Sequence, residues 1–114
     1  MPMIQEELEI KLFDLRQNTP LTLHETDTID NLTRAIHEIP LLFKIRKTWN
    51  TQRSSYSLKH DLEYFRKKNK LYGNAYITGS LFTIAMIELG YDKRQIQNDP
   101  NYYFNVKILK NYIN

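Results

Sequence analysis

The chain has 114 residues, 41% of them hydrophobic and 25% charged, with three glycines, four prolines and no cysteine. This suffices for one domain with a core, and it excludes disulfides, thiolate metal sites and cysteine nucleophiles. No apolar run approaches the roughly 20 residues of a membrane helix, and the opening MPMIQEELEI carries acids where a signal peptide has a basic start, so a soluble, cytoplasmic protein is the expectation. The net charge of +3 conceals an asymmetry. Residues 1–43 hold eight acids against three bases, net −5, while residues 44–114 hold thirteen bases against five acids, net +8. We read a single domain over 1–114, with an acidic helical front (1–43) and a basic middle and core (44–114).

In chain order, Ile4, Leu8, Leu12 and Leu15 share one helical face. Leu8, Ile10 and Leu12 also alternate, which leaves a strand over 8–12 as the competing reading. Asn18 and Pro20 end the segment. Thr26-Asp27-Thr28 offers caps for a second helix, whose stripe is Ile29, Leu32, Ile36 and Ile39 and which Pro40 is expected to stop. The run from Leu41 to Trp49 could be a further helix started by Pro40. After a polar loop, Ser55 is a good cap for the best-defined amphipathic helix, with Leu58, Leu62 and Phe65 on one face. Residues 69–74 read as a basic loop and Tyr76-Ile77 as a short strand. Thr78 caps a helix over Gly79–Leu89 that is apolar nearly all round and is expected at the centre of the core, with Gly90 just past its end. Tyr102, Phe104, Val106 and Ile108 alternate with Tyr103, Asn105 and Lys107, a strand pattern. The fold class expected is mainly α, four to five helices with a short β element, loosely winged-helix-like in order.

Catalytic chemistry finds little support. Ser54, Ser55, His60, Asp61 and Glu63 are neighbours in sequence, but a nucleophile needs a base and an orienting group in space. Ser55 has a simpler role as a cap. His24 and His37 lack a metal-binding spacing. With three glycines in all, neither a phosphate-cradling loop nor a dinucleotide fingerprint is present. No enzyme activity and no cofactor are expected.

The basic middle is more informative. Nine bases stand against two acids in residues 44–70. Trp49, Tyr56, Tyr64, Tyr72 and Tyr76 are interleaved with them. Cations neutralise phosphates and aromatic faces stack on unpaired bases. The expected contacts are Lys59, Arg66, Lys67, Lys68 and Lys70, supported by Arg46, Lys47 and Arg53. An acidic protein surface is the competing partner, and a solvated helix face the plainest explanation. The helix over 55–68 is the better-placed recognition surface, because the following helix is too apolar. That counts against base-specific reading of a major groove.

Three elements in order carry a resemblance. Ser54-Ser55-Tyr56-Ser57-Leu58-Lys59-His60 fits S-S-Y-x-L-K-H. Residues Tyr76 to Gly90-Tyr91 fit Y-[IV]-[ST]-N-G-x-F-x-x-A-x-x-x-x-G-[YF], except that Gly79-Ser80 stands where that pattern has Asn-Gly. Asn101-Tyr102-Tyr103-Phe104-Asn105 fits N-x-Y-F-N. The chain thus resembles a loosely defined set of small, mostly uncharacterised proteins of phages, plasmids and chromosomal islands, over residues 54–105. The resemblance implies a small α-rich fold in the host cell and brings no activity. Its setting implies either nucleic-acid binding or disabling of host defence, and some anti-CRISPR proteins are similar in size and company. Two functions follow as expectations. One is a mobile-element accessory protein binding a nucleic-acid backbone. The other is a stoichiometric inhibitor of a host defence nuclease, whose acidic front imitates DNA or whose basic middle grips an acidic patch. The opposite charges of front and middle should meet, within one chain or across a homodimer, and burial of the two front stripes favours the dimer.

Overall fold

The computed structural model describes residues 3–16, 23–69 and 74–109. The turn at 17–20, Lys70, and most of the loop at 69–74 lie outside these residues. The elements run α1 (Gln5–Leu15), α2 (Ile29–Leu42), β1 (Phe43–Ile45), α3 (Ser55–Lys68), α4 (Gly79–Glu88), β2 (Lys93–Gln95), β3 (Tyr102–Phe104) and β4 (Val106–Ile108). The mainly α class with a short β element is what the chain adopts.

Three of the helices, α2, α3 and α4, begin where a side chain takes up an orphan amide, whereas α1 starts at Ile4 without a side-chain cap. Thr28 Oγ1 accepts from Asn31 N–H at 3.1 Å to open α2, and Thr78 Oγ1 accepts from Leu81 N–H at 3.1 Å to open α4. For α3 the cap is Ser54, whose hydroxyl accepts from Ser57 N–H at 3.4 Å, and not Ser55. The Ser55 hydroxyl is committed elsewhere: it accepts from Tyr102 N–H at 3.0 Å and donates to Asn101 Oδ1 at 3.3 Å. Gly90 follows α4 at φ +91°, the left-handed conformation that ends a helix cheaply only with glycine.

Pro40 does not stop α2; it lies inside the last turn, on the exposed side, and the helix runs to Leu42. The missing amide loses one bond to the Ile36 carbonyl, near enough to the end for the turn to survive. The helix expected over 41–49 is absent. Phe43, Lys44 and Ile45 instead form strand β1, antiparallel to β4, with Lys44 opposite Lys107 and Ile45 opposite Val106.

The strand foreseen over 102–108 is present with one break, at Asn105. Its first half pairs with β2, with Arg94 opposite Tyr103, and its second half with β1. At the break Asn105 turns its N–H to the Asp92 carbonyl (3.4 Å) and its carbonyl to Arg46 N–H (2.9 Å). The Asn105 side-chain oxygen then accepts from Asp92 N–H at 2.8 Å, replacing the carbonyl that has turned away. Tyr76-Ile77 is extended but joins no sheet. Asn31 Nδ2 donates to the Tyr76 carbonyl and Ile77 N–H donates to Glu63 Oε2, both at 3.1 Å, so helix side chains take the place of a partner strand.

α4 is the centre of the core, with Leu81, Phe82, Thr83, Ile84, Ala85 and Met86 all buried. It packs against α1, α2 and α3. The strands form two separate antiparallel pairs, β1 with β4 and β2 with β3, and α1 is laid over α4. Leu8 and Leu12 of α1 are fully buried, worth roughly 3–6 kcal/mol together. Lys11 Nζ reaches Glu88 Oε1 at 2.9 Å, and Arg16 Nε donates to Ser80 Oγ at 3.2 Å. Ile4, expected in the α1 stripe, is exposed at the helix cap. The stripes of α1 and α2 otherwise find their burial within one chain, which removes the argument that they need a second copy.

Candidate nucleic-acid interface

The structure divides the expected basic surface in two. Arg66 is 1% exposed and belongs to the core. Its Nε donates to Glu38 Oε1 at 2.7 Å and its Nη1 to Asn31 Oδ1 at 2.8 Å. Burial pulls the guanidinium below its ordinary value, against the hydrogen bond and charge of Glu38, which hold it up. Arg66 therefore cannot meet a phosphate. Its pair with Glu38 is a buried bridge between α3 and α2 that joins the basic middle to the acidic front. The acids Glu6, Glu7, Asp14, Glu25 and Asp30 stay exposed.

Lys59 is also buried, its ammonium 3.1 Å from Glu63 Oε2. Glu63 in turn takes His60 Nδ1 on its other oxygen at 3.0 Å. Arg53 is half-buried, with its guanidinium on Asp61 and its Nε donating to Ser57 Oγ at 2.6 Å. Burial raises the Asp61 carboxyl above its usual range, and the charge and hydrogen bond of Arg53 oppose that rise. Three of the expected contacts thus have structural partners. Lys67 and Lys68 are exposed at the end of α3, as expected.

Arg46 and Lys47 are exposed after β1. Arg46 Nε donates to the Thr48 carbonyl at 3.0 Å and Nη2 to the Trp49 carbonyl at 2.9 Å, which fixes the turn while leaving its charge at the surface. Beside them stand two cations absent from the expected contact set. Lys44 and Lys107 are direct cross-strand neighbours, both exposed on the side of the sheet away from the core. Such neighbours have Cβ atoms about 5 Å apart, and like charges there repel. Among the described residues no carboxylate pairs with Lys44, Lys47 or Lys107. The alternation of 102–108 did place Lys107 on a polar face. Its partner was hidden because 41–49 reads equally well as a helix.

The serines and histidines do not converge. Ser54 caps a helix, Ser55 binds Asn101 and Tyr102, and His60 binds Glu63. A cleft of about 520 Å³ lies between the starts of α3 and α4 and the β2–β3 loop, and none of the histidines lines it. Among the described residues no three acids or histidines gather as metal ligands would, and no helix is long and apolar enough to cross a membrane. No family model matches the chain, and neither a curated protein nor a solved structure matches it.

Proposed function

We propose that this protein is a non-enzymatic accessory protein of mobile-element type that binds the nucleic-acid backbone through a basic surface centred on the β1–β4 strand pair. The observation that carries this reading is Lys44 facing Lys107, with Arg46 and Lys47 following and no described carboxylate to neutralise the pair. A polyanion relieves the repulsion that the fold leaves in place. α4 is covered by α1 and carries no base, so binding follows backbone charge and not base sequence.

The test separates stability from binding. Lys44→Glu places opposite charges across the strands, so stability holds or rises by up to about 1 kcal/mol. Affinity for duplexes of any sequence falls alike, and the slope of log affinity against log salt becomes shallower by about 1. A gel shift that detects no binding at low salt overturns the proposal.

A second reading, the stoichiometric inhibitor, is favoured by one observation. Ile10 and Phe13 are exposed on the outer side of α1 beside Glu6 and Glu9, an acidic and apolar surface suited to a basic protein partner. Inhibition of a host nuclease without any nucleic-acid binding by this chain would select it.

A further inference from the structure

The outward face of α3 is unusual for a solvated helix. Tyr56, His60 and Tyr64 recur every four residues, so the three rings run along one side over about 12 Å. Tyr56 is 55% and Tyr64 51% exposed. A helix needs no aromatic residues on its water side, where lysine, glutamate or glutamine are better helix formers. The rings are also held in place. Tyr56 meets His60 edge to face at 4.4 Å, and Lys59 Nζ lies 5.8 Å from the Tyr56 centroid and 4.8 Å from that of Tyr76. Tyr76 is 40% exposed and so extends the aromatic surface beyond the helix. Tyr64 has no ring partner among the described residues.

The charges around these rings favour an anion. Both carboxylates of this stretch are engaged, Asp61 by Arg53 and Glu63 by Lys59 and His60. Lys67 and Lys68 then add exposed positive charge at the end of the face. A ligand that is polyanionic and also presents flat, accessible π faces is a single-stranded nucleic acid; in a duplex those faces are stacked away.

We propose that the α3 face Tyr56–His60–Tyr64, with Tyr76, is a stacking platform for unpaired bases, so that the preferred ligand is single-stranded. The inference rests on the nucleic-acid reading above and adds the class of ligand. Stacking and charge leave different marks. Loss of a stacked ring lowers affinity without altering the salt slope, whereas loss of a phosphate-binding lysine alters the slope.

The experiment measures fluorescence anisotropy of a labelled oligothymidylate and of a duplex of equal length, across a salt series. The expected result is tighter binding of the single strand. Tyr64→Ala should weaken it by roughly 5- to 100-fold at an unchanged salt slope, and Tyr64→Phe should restore it. Thermal unfolding checks that each variant folds; Tyr64 is exposed, so both should. If single strand and duplex bind equally and Tyr64→Ala changes nothing while Lys44→Glu weakens both, the platform is wrong and the backbone reading stands. If neither ligand binds at low salt, both are overturned. A partner that turns out to be an acidic protein, bound through Tyr64 with no nucleic acid bound, also refutes the platform as proposed.

Discussion

Arg66→Met tests whether the densest cluster of basic residues serves the fold or the ligand. The substitution keeps most of the side-chain volume and removes the charge. It leaves Glu38, 8% exposed, and Asn31, 4% exposed, without the donors at 2.7 and 2.8 Å that satisfy them. Breaking a buried ion pair by removing one partner costs about 3–5 kcal/mol. The lower end applies here, because Arg66 Nη2 is itself buried with no hydrogen-bond partner and Arg34 places a second guanidinium nearby, so the wild-type arrangement already bears a cost. A loss of about 3 kcal/mol corresponds to a fall in Tm of roughly 12 °C for a domain of this length. The double variant Arg66→Met, Glu38→Met should recover most of that loss, since it withdraws both charges from the interior together. Urea unfolding of the wild type, both single variants and the double variant closes the cycle. A loss below about 1 kcal/mol for Arg66→Met, accompanied by lost nucleic-acid binding, would refute the assignment and return Arg66 to the surface.

Two other predictions test the local geometry. Gly90→Ala should cost about 1 kcal/mol or more, entirely from the backbone at φ +91°, because an added Cβ meets nothing within 4 Å; an unchanged Tm refutes it. Burial raises the Asp61 carboxyl above 3.8, so the folded state holds that proton to higher pH than the unfolded chain, and its contribution to stability declines as pH rises from below 3.8 through the folded value. The stability of wild type minus that of Asp61→Asn should therefore fall with rising pH across the acid range in a urea series, and a difference that grows would refute the assignment.

What the sequence made legible is what local chemistry decides. Thr28, Thr78 and Gly90 mark helix ends because capping and left-handed geometry are properties of a few neighbouring residues. The apolar run from Leu81 to Met86 announces a central helix for the same reason. Leu41–Trp49 has a periodicity compatible with either element, and the deciding factor, the facing strand β4, lies about 60 residues away. Tyr76-Ile77 shows the reverse case. Its residues favour a strand, yet its backbone is satisfied by Asn31 and Glu63, long-range partners that no local pattern contains. The basic surface failed in the same way. Counting charges along 44–70 cannot tell Arg66, folded against Glu38, from Lys67 one residue on in water. Helical position separates them only once the buried face of α3 is known.

Most of the residues that carry the resemblance now have physical roles that are structural; Tyr56, His60 and Tyr76, on the proposed platform, are the exceptions. Ser54 caps α3, and Ser55 ties that cap to Asn101 and Tyr102. Leu58, Phe82, Ala85 and Phe104 are core. Thr78 caps α4 and donates to Asp27 at 2.7 Å. Tyr91 donates from its hydroxyl to the Phe43 carbonyl, anchoring the end of α4 to the start of β1. Asn105 switches the long strand from one partner to the other. The Gly79-Ser80 departure fits this account, since the cap depends on Thr78 and Ser80 is free to receive Arg16 from α1. The pattern from 54 to 105 therefore reads as the hydrogen-bonded frame joining α3, α4 and the strands. A chain can keep such a frame and change its ligand, because the frame leaves the solvent side of α3 and the polar face of β1–β4 open to other choices. In this chain those open positions hold Tyr64, Lys67, Lys44 and Lys107, of which the resemblance specifies none. Tyr56, His60 and Tyr76 of the proposed platform lie within the pattern and these four positions outside it, so on the proposed function substitutions at the four should alter binding while leaving the fold intact.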